Sequence, residues 1–296
     1  MTRGQLEHVM ISMPNAQQRL SKLAYGALWS LPLPIWLVGF FLGPMILLVW
    51  LSFWEVRNFL LTPDFQLGNW EKMLSANYFW TAYLRTCIIA LSAAFFSSLI
   101  ALPCALAISF FLSLRARMIV LSLFVVPFFT SYLVRIYSWQ IYLTENGIVM
   151  KTFASVGIEI GSLLNTPFAL MVGLVTLTLP LVIVIQSISM LSLDKTLIDA
   201  AYNLGCGPRR VLFATVLPAA RPGIVLGALF AFIFSFGDFV TATYLGGGKF
   251  TTLSILIADT VKSGQQWPRA AVVAIMMIVT LLVTALGSIA YAYRRT

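Results

Sequence analysis

The chain has 296 residues, of which 60% are hydrophobic and 10% charged, with a mean hydropathy of +0.92. A soluble domain carries about 25% charge and about 45–50% apolar residues, so this composition excludes the two soluble domains that length alone would suggest. It reads as an integral membrane protein, and the net charge of +9 is then a matter of sorting across a bilayer, not a nucleic-acid footprint.

In chain order, residues 1–28 form a polar tail (Arg3, Glu7, His8, Arg19, Lys22), expected in the cytosol and ending in a short interfacial helix. His8 is the only histidine, has no second ligand nearby, and is expected to be a solvated tail residue. The rest, 29–296, reads as an all-α transmembrane domain. A span needs about 20 mostly apolar residues, and six stretches qualify: 29–53, 83–111, 118–142, 168–191, 223–244 and 270–293. The first is too long for a cleaved signal and no small-residue cleavage site follows it. The second is long enough to tilt or to project beyond the bilayer. Pro103, Pro127 and Pro180 lie inside spans and predict kinks. Cys87, Cys104 and Cys206 lack metal-ligand spacing and read as free thiols.

The charges sort by side. Arg3, Arg19, Lys22, Arg115, Arg117, Lys195, Arg209, Arg210, Arg221, Arg294 and Arg295 fall on one side, beside only Glu7, Asp194 and Asp199. The opposite loops balance Arg57, Lys72, Lys151, Lys249, Lys262 and Arg269 against Glu55, Asp64, Glu71, Glu145, Glu159 and Asp259. Basic loops stay in the cytosol, which places both termini inside. Asn15, Arg117, Arg209 and Arg295 are thus expected in the cytosol, and Lys151 and Gly247 on the periplasmic side. Arg85, Arg135 and Asp238 remain within or at the ends of spans.

The 194–222 loop carries the most information. Asp194 or Thr196 can cap a helix whose Leu197, Ala200, Ala201 and Leu204 share a face. Gly205 suits a left-handed stop, and Pro208 suits the first turn of a second helix striped by Val211, Leu212 and Val216. Pro218 and Pro222 are expected to break the chain before the fifth span. The result is a helix–turn–helix on the cytosolic face.

That loop resembles the signature of ABC-importer permeases, E-A-A-x3-G-x9-I-x-L-P. Asp199, Ala200, Ala201, Gly205, Leu217 and Pro218 stand at the matching positions; Asp199 replaces the usual Glu and keeps the carboxylate, whereas Thr215 replaces the usual Ile. The resemblance implies a six-span ABC-importer permease fold in which this segment is the coupling helix that docks on a cytosolic ATPase. It further implies a second, related permease subunit in a heterodimer, two ATPase subunits carrying ATP and Mg, a periplasmic substrate-binding protein, and a bacterial inner-membrane location. Val126-Pro127-Phe128, Leu133 to Tyr137, Gly237-Asp238-Phe239-Val240, Leu245-Gly246-Gly247 and Trp267-Pro268 are similar to the spermidine/putrescine group, which also includes permeases for other amines, opines and amino-acid-like solutes.

No nucleotide cradle is expected in this chain. The run Leu245 to Phe250 lacks the G-x-x-x-x-G-K-[ST] order and lies in an external loop. No metal, nucleophile or paired-carboxylate constellation appears, so the chain is expected to be a permease and not an enzyme. A secondary transporter or channel is the alternative; it predicts internal repeats with interrupted spans, or rows of ionisable groups.

Asp238 and Arg135 are the remaining candidates. Continuous helices at 1.5 Å per residue would place them about 22 Å and about 25 Å from Gly223 and Met118, both in the outer half of the bilayer. Charges there are costly, so each should face the bundle interior or an opposite charge, lining the substrate pathway or forming a structural pair.

Overall fold

The computed structural model describes residue 30 and residues 32–57, 60–157 and 161–294. The expected tail at 1–28, with Asn15 and its interfacial helix, lies outside these residues, as do Glu159 and Arg295.

Helix α1 (Pro32–Leu51) contains a π turn at Val38–Leu42 and leads into a short hairpin, β1 (Glu55–Arg57) and β2 (Leu60–Thr62), paired Glu55 to Thr62. Helices α2 (Gly68–Leu74) and α3 (Asn77–Phe110) follow. The 34 residues of α3 make a rod of about 51 Å against about 30 Å of hydrocarbon, so this span does project beyond the bilayer. Next come α4 (Leu114–Val125), extended by a tight 3₁₀ turn at Val126–Phe129, then α5 (Tyr132–Leu143), α6 (Ile148–Ser155) and α7 (Pro167–Leu191). The chain continues through α8 (Lys195–Asn203), α9 (Pro208–Ala219), α10 (Arg221–Phe236), α11 (Val240–Tyr244), α12 (Leu253–Gly264) and α13 (Trp267–Ala292).

Among the described residues, four helices, α1, α3, α7 and α13, are each long and apolar enough to cross a membrane. Two further crossings are bent pairs: Leu114–Phe129 turns by 91° into Tyr132–Ser155, and Pro208–Ala219 turns by 64° into Arg221–Phe236. The count reaches six when each pair is one span.

Two expectations need correcting. The third span is not a continuous helix kinked at Pro127; it breaks at Thr130–Ser131, so the rise computed from Met118 does not measure the depth of Arg135. The fifth span ends at Phe236 and restarts at Val240, with Asp238 in the gap. Pro218 and Pro222 do bracket a break before the fifth span, as expected: the chain bends by 64° at Ala220, between them. Pro103 and Pro180, by contrast, are carried inside continuous helices. Interrupted spans therefore occur here and do not separate a secondary transporter from an importer.

The core lies where α3, α7 and α10 meet. Their contacts are built from small residues, which let backbones approach when lipid removes the hydrophobic drive between helices. Ala82, Ala90, Ala93, Ala94, Ala101 and Ala105 make the buried stripe of α3. A Cβ at Gly223 would collide with Ser189 of α7, so the close approach of α10 to α7 there relies on glycine. Polar side chains join the same layers: Ser97 and Thr178 share a hydrogen bond of 2.7 Å, and the Gln186 amide donates to Ser98 at 2.8 Å. The Arg221 guanidinium lies 3.9 Å from the Tyr291 ring centre and donates to the Tyr291 carbonyl at 2.6 Å, fastening the start of α10 to the end of α13.

Candidate functional sites: the 194–220 hairpin and the Asp238 hub

The Asp194 carboxylate accepts a 2.9 Å bond from the Thr196 amide, which caps α8 and holds that carboxyl below its usual range. At the other end, the Gly205 amide donates to the Tyr202 carbonyl and the Cys206 amide to the Ala201 carbonyl. This is the Schellman pattern, and it requires the left-handed backbone that Gly205 adopts at φ +78°. A Cβ at Gly205 would meet nothing within 4 Å, so this glycine serves the turn and not a close approach within the chain. Gly207 then caps α9 with Pro208 in its first turn.

The hairpin places all six signature residues on one excursion from the bundle. Asp199, Ala200, Gly205 and Pro218 are exposed, while Ala201 and Leu217 are half-buried. Val211 and Val216 form the buried stripe of α9 with help from a π turn at Leu212–Val216, which local spacing does not reveal. Leu197, Leu204 (83% exposed) and Phe213 (68% exposed) present apolar surface that none of the described residues covers.

A second constellation sits at the two internal breaks. The Tyr132 hydroxyl, at the start of α5, donates to Asp238 at 2.5 Å and shares another 2.5 Å hydrogen bond with the Thr241 hydroxyl. The other Asp238 oxygen accepts from the Thr241 amide at 2.9 Å, so the carboxylate also holds the first turn of α11. Tyr137 of α5 and Tyr244 of α11 meet edge to face with ring centres 5.2 Å apart. Arg135 is not paired with Asp238: its guanidinium donates to the Pro127 carbonyl, across the break in its own span. Sequence reading passed over Tyr132 and Thr241, because neutral polar residues in an apolar run carry no isolated cost that would single them out. Their signal was proximity to the R-I-Y and G-D-F-V-T segments.

Gly246 to Lys249 form a tight turn after α11, with Gly247 and Gly248 at φ +63° and +67°. Cys87, Cys104 and Cys206 are half-buried free thiols.

Residues 82–295 match the family described as "Binding-protein-dependent transport system inner membrane component". The chain is 30% identical over 253 residues to the spermidine/putrescine transport system permease protein PotB of Haemophilus influenzae, covering 83% of this chain and 86% of that one. It is 27% identical to PotB of Escherichia coli K12 over 83% of this chain and 90% of the relative. Among solved structures, a bacterial ABC transporter involved in import of the acidic polysaccharide alginate superposes with TM-score 0.71 at 19% identity, covering 94% of this chain and 97% of that one. These matches establish a mostly helical, multi-pass inner-membrane fold, and the chain belongs to the binding-protein-dependent inner-membrane components, the permease subunits of ABC importers.

Proposed function

We propose that this permease imports polyamines or closely related small amines, with Asp238 as the carboxylate that meets the ligand's ammonium. The observation that carries this reading is the hub itself: a carboxylate at an interrupted span, on helices that also present Tyr132, Tyr137 and Tyr244. An ammonium group suits a carboxylate electrostatically and suits tyrosine faces through their quadrupoles. Its arrival would compete with the Tyr132 hydroxyl for the same oxygen and so loosen α5 from α11. The spermidine/putrescine naming of the relatives supports the same ligand class. Arg135, which would suit an anionic ligand, is already engaged by the Pro127 carbonyl.

In this reading the basic end of the bundle, with Arg117, Arg209 and Arg210, lies in the cytosol, and both termini with it. The 194–220 hairpin docks on an ATPase subunit through Leu197, Leu204 and Phe213, with Asp199, Ala200, Ala201, Gly205, Leu217 and Pro218 setting its shape. ATP and Mg are held by the two ATPase subunits, a second permease completes the pathway, and a periplasmic binding protein delivers the ligand. Closure of the ATPases displaces the hairpin, and the 64° bend at Ala220 passes that displacement into α10. The bundle needs two states that the ATPase and the receptor bias in opposite directions.

The test is uptake by purified components in liposomes across a panel of amines. Uptake of one or more amines, dependent on ATP and binding protein, is expected. A complex that hydrolyses ATP in response to its binding protein but takes up no amine would remove the ligand assignment.

A further inference from the structure

At the end of the bundle away from the hairpin, a pocket of about 160 Å³ opens between the β1–β2 hairpin, α2 and the first turn of α13. Its lining is polar and includes Glu55, Gln66, Asn69, Lys72, Gln266 and Arg269. The frame is fixed: the Asn69 amide donates to the carbonyls of Ser52 at 3.1 Å and Trp54 at 2.7 Å. The charge in it is unbalanced. Glu55 is held at 2.5 Å by Arg57 outside the cavity, and Arg57, Gln66 and Lys72 keep its carboxyl below the usual range. Among the described residues, neither Lys72 nor Arg269 has a carboxylate within 4.0 Å. The Arg269 Nε is buried without a hydrogen-bond partner. A buried guanidinium donor with no acceptor is a cost that a native fold carries where something else supplies the acceptor.

We propose that this pocket receives a carboxylate side chain of the soluble binding protein, with Arg269 and Lys72 as its partners. The inference rests on the importer reading above, which puts this end of the bundle in the periplasm. Its size fits one side-chain carboxyl group and not a polyamine, which Arg269 and Lys72 would repel. The flanking residues favour a protein over a free ion. Phe65 is 80% exposed, Leu67 68% and Trp267 47%, each one or two positions from a lining residue. A charged anchor pocket whose neighbours in sequence are exposed aromatic and aliphatic side chains fits the anatomy of a protein interface.

The experiment titrates purified binding protein against the full complex in liposomes, with and without anionic lipid, and reads the concentration giving half-maximal ATPase stimulation. Arg269→Gln and the exposed Lys72→Gln should each raise it about tenfold, with ATP hydrolysis in the absence of receptor unchanged. Lys72→Glu should be rescued by one Asp→Lys or Glu→Lys change on the binding protein. Unchanged half-maximal concentrations in both Gln variants would overturn the proposal while leaving the importer reading intact. So would a defect in Arg269→Gln that alters receptor-free hydrolysis while Lys72→Gln behaves as wild type, since the pocket would then be structural. A shift that disappears in liposomes lacking anionic lipid would assign the pocket to a headgroup and also overturn it. A wild-type complex insensitive to any binding protein would overturn the importer reading itself and this inference with it.

Discussion

The Tyr132 hydroxyl reaches the Asp238 carboxylate at 2.5 Å across 106 residues of sequence, and each partner sits where its own span is interrupted. Tyr132 is the first residue of α5 after the 91° turn, and Asp238 lies between α10 and α11. Two breaks are thereby tied together by one side-chain bond. The carboxylate at this place satisfies the freed amide of Thr241 with its second oxygen.

The first prediction follows from that bond. Asp238→Asn keeps the size and a hydrogen-bond acceptor but removes the charge, and should lower amine uptake about a hundredfold, the scale of losing one charge-assisted contact. Tyr132→Phe unties α5 from the carboxylate and should lower it about tenfold, less than Asp238→Asn because the charge and the Thr241 amide contact remain. Arg135→Gln should chiefly reduce the amount of assembled complex, since its partner is a backbone carbonyl at a helix break. Uptake and assembly measured side by side check all three. Wild-type uptake in Asp238→Asn would take the hub out of the pathway.

The long apolar runs were legible because twenty or more apolar residues have few other uses, and α3, α7 and α13 lie where hydropathy puts them. The breaks were not. Thr130-Ser131 interrupts a run whose composition stays apolar on both sides, and a window average cannot register two residues of extended backbone. Proline was an unreliable guide: Pro103 and Pro180 stay inside helices, and Pro127 lies within the 3₁₀ turn before the break and not at it. In the hairpin, Gly205 and Pro208 announced their positions because each is tied to one backbone conformation. Asp238 stood out as a charge, but its partners Tyr132 and Thr241 depend on how two distant breaks meet. No local pattern encodes that.

The second prediction concerns the hairpin. Gly205→Ala forces a Cβ onto a left-handed backbone, which costs about 1 kcal/mol or more and should fray the end of α8. Ala201→Arg places bulk and charge on the half-buried side of that helix. Both variants should remain in the membrane, with Ala201→Arg losing transport and recovering less ATPase on purification. If Ala201→Arg transported normally with its full ATPase complement, the docking assignment would be wrong.

A third expectation concerns the contact of α10 with α7. Gly223→Ala sets a methyl group against Ser189, and overpacking of this kind costs about 1–3 kcal/mol. The variant should lower the thermal unfolding midpoint of the purified complex, and adding Ser189→Gly in the same chain should restore it. No recovery in the double variant would mean that the strain falls on the Ile185 carbonyl, 3.4 Å from the added Cβ, and not on the serine.

The last prediction is the orientation. Arg117 donates to the carbonyls of Ile108 at 3.1 Å and Ser109 at 2.7 Å, so it lies at the end of α3 where that helix stops. Helices α3 and α7 run in the same direction, since Ser97 pairs with Thr178 and Ser109 with the Ser187 carbonyl. The hairpin that follows α7, with Arg209, therefore leaves the bundle at the same end as Arg117. At the opposite end, the Asn165 amide donates to the Leu245 carbonyl at 2.9 Å, which joins the segment after α6 to the turn at Gly247. Basic residues gather at the first end, and an excess of Lys and Arg in short loops keeps those loops in the cytosol. Single cysteines at 117, 209, 151 and 247, in a chain lacking Cys87, Cys104 and Cys206, should separate into two classes with a membrane-impermeant thiol reagent. Positions 151 and 247 should react from outside intact cells, and 117 and 209 only after the membrane is opened. Reaction at 209 from outside would reverse the orientation and remove the ATPase contact. It would leave the helix packing described here untouched, because the hydrogen bonds that align α3 with α7 do not depend on which side faces the cytosol.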